Sequence, residues 1–375
     1  MIAVQKIDTG SKSQVQRFVR YPFKLYNDHP YWVPPLFVDA EMQLNRKKHP
    51  YYEHSNADFF IAVKDGIDVG RIAALENRRY NDYHQTHTAQ FYLFDCIDDA
   101  EVAFALFTEV FEWAARRNLD QVIGPKGFGP LDGYGLLVEG FEHRQVMTMM
   151  NYNYPYYPNL VEGIGFEKDV DFVSCYLNAE GFQLPDRVHR IAKRMQDRGN
   201  LQVLRFNSKR ELKRWVSRIG QAYNQAFVNN WEYYPLTDKE IDFVMQNVES
   251  VADPRLIKII THGEDVIGFL FGWRDLSYGL QRARGRLFPF GLIHILLDMR
   301  RTKWVALNGA GILPEFHGRG GNALLYSEME KTIHEYSFEH ADLTQVAETA
   351  VQMRNDLENL GGKAYKNHRV YKIQL

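Results

Sequence analysis

Three segments of the chain recur in the same order at an offset of about 196 to 199 residues, and this repeat limits the possible folds more than any other feature. Val4-Gln5-Lys6-Ile7-Asp8, followed by a helical pattern ending near Tyr26-Asn27, resembles Val203-Leu204-Arg205-Phe206-Asn207 and the helical pattern ending near Tyr223-Asn224. Phe60 to Val63, the turn at Asp65-Gly66 and the return through Val69 to Leu75 form a β-hairpin signal. Ile257 to Ile260, Gly263 and Val266 to Trp273 repeat it. Gly165-Phe166 and the alternating Val170, Phe172 and Cys175 correspond to Gly361-Gly362 and the run from Tyr365 through Tyr371 to Ile373. Each half thus reads as strand, helix, hairpin, strand, helix, strand, helix, strand pair. Inserts fall at Gly124 to Pro158 and at roughly Leu276 to Arg301, and the basic helical pattern Pro185 to Gly199 connects the halves. Two domains are expected, 1–184 and 185–375, which suits a chain of 375 residues.

Composition excludes some functions. A formal net charge of -2 gives no chain-wide reason to bind nucleic acid, so any anion site is local. Only Cys96 and Cys175 are present, with no disulfide framework or metal-ligand spacing, and the histidines form no HExxH pattern. No metal and a cytoplasmic location are expected, with no signal peptide at the N-terminus. The longest apolar stretch, Leu287 to Leu297, contains Pro289 and His294 and is too short for a membrane span. It suits a lid or a buried helix, and its neighbour Arg282-Ala283-Arg284-Gly285-Arg286 makes a basic amphipathic surface conceivable.

A local anion site is visible in the second half. Trp304-Val305-Ala306-Leu307 is strand-like and runs to Gly311-Ile312-Leu313, where Pro314 stops it. Gly318-Arg319-Gly320-Gly321 follows, and then Leu325, Met329, Thr332/Ile333 and Tyr336 recur at helical spacing. A glycine-rich turn opening a helix suits a diphosphate. The first N–H groups lack backbone partners and carry the positive end of the helix dipole, glycines admit the phosphate oxygens, and Arg319 adds a cation.

These residues resemble the GNAT superfamily. Ile312-Leu313-Pro314-Glu315-Phe316-His317-Gly318-Arg319-Gly320-Gly321 is similar to its V-x-P-E-Y-R-G-R-G phrase, with His317 in the Gln/Arg place, Gly320 as the central glycine and Asn322 in the last Gly/Ala place. The resemblance implies an α/β (α+β) chain of two tandem GNAT folds, each a mixed, mostly antiparallel twisted sheet flanked by helices. It also implies acyl-CoA binding by Gly311, Ile312, Leu313, His317, Gly318, Arg319, Gly320, Gly321 and Asn322. The expected reaction is transfer of acetyl from acetyl-CoA, or of another acyl group from its CoA ester, to an amine of a small molecule or peptide. The first half matches the pattern but carries Cys96-Ile97-Asp98-Asp99-Ala100-Glu101 at the equivalent turn, with Asp98 and Glu101 spaced as a capping box, and reads as a degenerate copy.

Two residues usual in the family are replaced, the tyrosine by Leu357 and the asparagine by Ala350. Glu348, at the end of the fifth strand, is the candidate base, and Tyr326 and Tyr365 are candidate acids. A non-catalytic CoA-binding or sensor protein and an aminoacyl-tRNA-dependent transferase are the alternatives. The tyrosines of Asn151 to Pro158 suit either an acceptor cleft or a domain interface.

Overall fold

The computed structural model describes residues 1–129, 132–231 and 233–375, and the side chains of all of these except 248–251. Strands of the first half are β1 (Ile2–Lys6), β2 (Asn56–Lys64), β3 (Ile67–Glu76), β4 (Thr88–Cys96), β5 (Gln121–Gly124), β6 (Leu136–Glu139) and β7 (Glu167–Asn178). Those of the second are β8 (Gln202–Leu204), β9 (Ile257–His262), β10 (Asp265–Arg274), β11 (Trp304–Ile312), β12 (His340–Ala347) and β13 (Lys363–Gln374). The chain forms two compact units. The first contains 1–173, 276–300 and 365–375, and the second contains 174–275 and 301–364.

This division differs from a single cut near residue 185 in two ways. The insert 276–300 belongs to the first unit, and the closing strands are exchanged. The end of β13 pairs with β5 in the first unit, Tyr371 opposite Gly124 and Gln374 opposite Gln121, while residues 174–178 of β7 belong to the second. A period-two apolar run can complete either sheet, because what it offers an edge strand is main-chain N–H and C=O groups plus one apolar face.

The repeat itself is present strand for strand. In the first unit β1, β2, β3 and β4 are antiparallel neighbours and β4 pairs with β5 in parallel. In the second, β8, β9, β10 and β11 are antiparallel and β11 pairs with β12 in parallel. Alternation buries both faces of the first sheet. Phe60 and Ala62 face the helix Ala100–Ala115 through Leu106, Phe107 and Val110, while Phe59 and Ile61 join Phe18, Val19 and Phe128. In the second unit the helix Gly321–Glu335 buries Leu324, Leu325, Met329 and Ile333, as its helical period predicts.

Candidate functional site

The candidate site of the second unit lies where β11 and β12 part. They are in parallel register from Trp304 opposite His340 to Leu307 opposite Leu343, whereas β11 continues to Ile312 and β12 to Ala347. Against β10 the register slips between Leu270–Ala310 and Gly272–Leu307, so β11 carries an extra residue. Gly309 sits in this bulge with φ of 98°, a left-handed conformation glycine adopts without Cβ strain. A bulge sharpens local twist, and it lies where the two parallel strands stop pairing.

Beyond β11, the turn Pro314–Phe316 leads into the glycines. Gly318 and Gly320 have φ of 70° and 83°, and Gly320 is the N-cap of the helix Gly321–Glu335, with no side chain capping its N–H groups. A Cβ on Gly318 would meet nothing within 4 Å. One on Gly320 would lie 2.9 Å from Ile191 Cγ2 and 3.0 Å from Met195 Cγ, because the helix Asp186–Arg198 packs there.

The side chains around the turn are held as follows. His317 Nε2 lies 2.8 Å from the Ile312 carbonyl oxygen, folding the ring back onto the strand end. Arg319 is exposed, its guanidinium 5.2 Å from the centre of the Phe316 ring. Asn322 Nδ2 donates to Asp356 Oδ2 at 3.2 Å, which turns its side chain towards the helix Val351–Asn359. Gly311, Ile312 and Leu313 form the end of β11 and its exit, with Ile312 and Leu313 buried.

The three acid–base candidates lie on different elements. Tyr326 lies on the glycine-turn helix with its hydroxyl 3.8 Å from Met353 Sδ. Burial, reinforced by Asp356, raises its pKa far above the ordinary tyrosine value and keeps it protonated. Glu348 is half-buried in the turn between β12 and the helix Val351–Asn359. Tyr365 belongs to the first unit, where its hydroxyl accepts from Lys366 Nζ at 2.8 Å and its ring packs 5.0 Å from that of His143. Leu357 is buried.

Sequence reasoning missed a buried polar network on the same helix. Lys258 Nζ donates to Thr332 Oγ1 and to the Arg255 carbonyl, each at 2.7 Å, and burial lowers its pKa to about 8. Glu328 accepts from Arg205 Nη2 at 2.7 Å and Lys331 Nζ at 2.6 Å. The sequence signal was Glu328 beside Met329 on a buried helix: an acid there requires cationic partners.

In the first unit the equivalent turn is filled. Asp99, not the Asp98–Glu101 box, caps the helix Ala100–Ala115: its Oδ1 accepts from the N–H groups of Glu101 and Val102, and its Oδ2 from Lys64 Nζ. At the end of β4, Cys96 N–H donates to Tyr157 Oη at 2.8 Å and Tyr156 Oη donates to the Cys96 carbonyl at 2.7 Å. Tyr26, Tyr154, Tyr156 and Tyr157 stack in sequence, with ring centres 5.1, 5.5 and 5.0 Å apart. The tyrosine-rich segment is therefore satisfied inside the first unit. Among the described residues no group of three His, Cys, Asp or Glu side chains is placed to hold a metal ion.

No family model matches the chain. Along its length it is similar to Protein YghO of Escherichia coli (strain K12), 25% identical over 97% of this chain and 94% of that protein. It is also similar to a bacterial ceramide synthase of Caulobacter vibrioides, 26% identical over 98% and 97%. A tandem GNAT protein from the clavulanic acid biosynthesis pathway superposes with a TM-score of 0.59 and 10% identity, covering 100% of this chain and 98% of that one. A GCN5-related N-acetyltransferase from Anabaena variabilis gives 0.51 and 9%, covering 99% and 72%. The chain has the GNAT fold, in tandem.

Proposed function

We propose that the protein is an acyl-CoA-dependent N-acyltransferase whose donor site lies in the second unit. The observation that carries the reading is the uncapped, left-handed glycine turn at Gly318–Gly321, directly beside two parallel strands that stop pairing after Leu307 and Leu343. The diphosphate would sit on the N–H groups from Gly320 onward, where the helix dipole favours negative charge and Arg319 is free to swing from Phe316. The pantetheine arm would use the main-chain groups that β11 and β12 no longer give each other.

The reaction is then amine attack on the thioester carbonyl. A C–N bond forms, the C–S bond breaks, the amine proton passes to a base, and the thiolate takes up a proton to leave as CoA. Glu348 is the base of this proposal and Tyr326, held protonated, the acid. Holding amine and thioester together supplies much of the rate, which lets the reaction tolerate Leu357 in place of the usual tyrosine. The acceptor of this proposal is a lipid amine and the donor a long-chain acyl-CoA. This is favoured by the likeness to a ceramide synthase, since a ceramide is an amide of a long-chain amino alcohol. Acetyl-CoA with a small-molecule or peptide amine is the polar counterpart of the same chemistry.

Calorimetric titration with acetyl-CoA and palmitoyl-CoA, followed by thiol-release and mass-spectrometric assays with a sphingoid amine, tests the proposal. Binding, amide formation and a loss of about 100-fold or more in turnover for Glu348→Gln are expected. Failure to bind any acyl-CoA refutes it. Buried Leu357 favours a second reading, a CoA-binding protein without transferase activity, and binding without amide formation across an amine panel would select it.

A further inference from the structure

The insert 276–300 is fixed to the first unit on its inner side. Ser277 Oγ accepts from the Met147 N–H at 2.8 Å, Gln281 Nε2 donates to the carbonyls of Pro30 and Trp32 at 2.9 Å, and the Phe37 N–H donates to the Gly285 carbonyl at 2.8 Å. Its two helices, Ser277–Ala283 and Gly291–Arg301, are tied by the Gly279 N–H donating to Asp298 Oδ2 at 2.7 Å, and Ile295 is buried. The longest apolar stretch of the sequence is therefore packed on the first unit by one side and is not a buried helix. One face is anchored and the other is bare.

That outer face is apolar. Phe288 and Phe290, 76% and 65% exposed, project from the turn between the helices, and Leu292, Ile293, Leu296 and Leu297 continue from them, all exposed. Positions 292, 293, 296 and 297 share one side of a helix, opposite Ile295, and Arg300 follows Leu296 by four residues on that side. The rim is cationic. Residues 276–301 contain five arginines, at 282, 284, 286, 300 and 301, against one aspartate, Asp298, in a chain whose formal net charge is -2. Asp298 is turned inward to Gly279, and Arg284 alone of the five has a carboxylate partner among the described contacts, Asp28.

We infer that this face docks the protein on the surface of an anionic lipid bilayer, with the phenylalanines and the leucine–isoleucine stripe entering the headgroup–acyl boundary and the arginines meeting lipid phosphates. Exposed Phe, Leu and Ile bounded by arginine match the chemistry of an interfacial helix, and a contiguous apolar patch of this kind rarely stays bare in water. A protein partner would need acids around an apolar groove, whereas a bilayer supplies the apolar layer and the anionic plane together. Among the described residues no helix is long and apolar enough to cross a membrane, so the attachment is peripheral. The inference does not rest on the acyl-transfer reading, because docking is measured without substrate.

Sedimentation of the full chain with vesicles tests it, using phosphatidylcholine alone and a roughly 3:1 mixture with phosphatidylglycerol. Binding to the anionic vesicles at least about tenfold tighter than to the neutral ones is expected, weakened by salt. Phe288→Ser with Phe290→Ser, and separately Arg282→Glu with Arg286→Glu, should each lose about tenfold or more while melting as the parent does, since all four side chains are exposed. A parent that stays in the supernatant with anionic vesicles overturns the inference, as does a phenylalanine pair variant that binds undiminished. A parent that ignores vesicles but is a dimer dissolved by the phenylalanine changes overturns it too, in favour of a second copy on this face.

Discussion

Replacing Gly320 by alanine tests the donor turn most directly, because the structure separates two costs that usually arrive together. Gly318 and Gly320 both lie in the left-handed region, where a Cβ costs about 1–2 kcal/mol. At Gly318 nothing lies within 4 Å of the added carbon, so Gly318→Ala should cost about that much and no more. At Gly320 the carbon arrives 2.9 Å from Ile191 Cγ2 and 3.0 Å from Met195 Cγ, and overpacking of this kind adds about 1–3 kcal/mol. Met195 is flexible and can yield part of the way, so about 2–4 kcal/mol in total is expected for Gly320→Ala. Urea unfolding read at equilibrium gives both values, and the cycle with Met195→Ala isolates the contact, with part of the Gly320→Ala cost recovered in the double variant. Titration with acyl-CoA supplies the functional reading: folded Gly320→Ala should bind about tenfold or more weakly, since the displaced carbon moves the first helical N–H groups. Equal costs for the two alanines would refute the packing of the helix Asp186–Arg198 over this turn. Unchanged acyl-CoA affinity in both variants would refute the turn as the diphosphate site.

Two pH effects follow from buried bases. His368 is buried in β13 with Nε2 against the Asn151 carbonyl, and burial lowers its pKa from 6.5 to about 4. The unfolded chain therefore takes up a proton before the folded one does, and stability present above pH 6.5 is lost as pH falls to about 4. The loss is about 3 kcal/mol at most, read as a falling urea midpoint that His368→Gln removes. Lys258 acts with the same sign at higher pH. With its pKa lowered from 10.5 to about 8, the unfolded state holds the extra proton between those values, so stability should rise with pH across that window by about 2–3 kcal/mol in the parent and stay flat in Lys258→Met.

What the sequence discloses about this chain is mostly local. The hairpin at Asp65-Gly66, its copy at Gly263, and the glycine turn before Gly321–Glu335 are written in adjacent residues, and the structure forms each where expected. Pairings between distant segments are not written that way. The run after Gly361 has the same period-two pattern as the run after Gly165, so which strands each joins depends on distant partners such as Gly124 for Tyr371. Tyr365 therefore lies in the first unit, on the strand that follows the helix Val351–Asn359. The cap at the first unit's turn shows the limit at its smallest: Asp98, Asp99 and Glu101 all suit a helix start, and the reach of Lys64 to Asp99 at 2.6 Å separates them only in three dimensions.

The two turns make the same demand and meet it differently. A helix that starts after the strand leading to its own sheet's parallel pair leaves its first N–H groups without backbone partners, and buried or half-buried donors must find something to bond. In the first unit side chains fill the turn: Asp99 takes two of the N–H groups, and Tyr157 takes that of Cys96 at the strand end. A diphosphate would have to displace a carboxylate already neutralised by Lys64 and enter beside Asp98, against like charge. In the second unit Gly320 has no side chain with which to cap, His317 is turned back to Ile312, and Asn322 is turned aside to Asp356. The helix start at Gly320 thus has no side-chain cap, and the proposed diphosphate would bond to its first N–H groups, with the helix dipole and Arg319 favouring negative charge there.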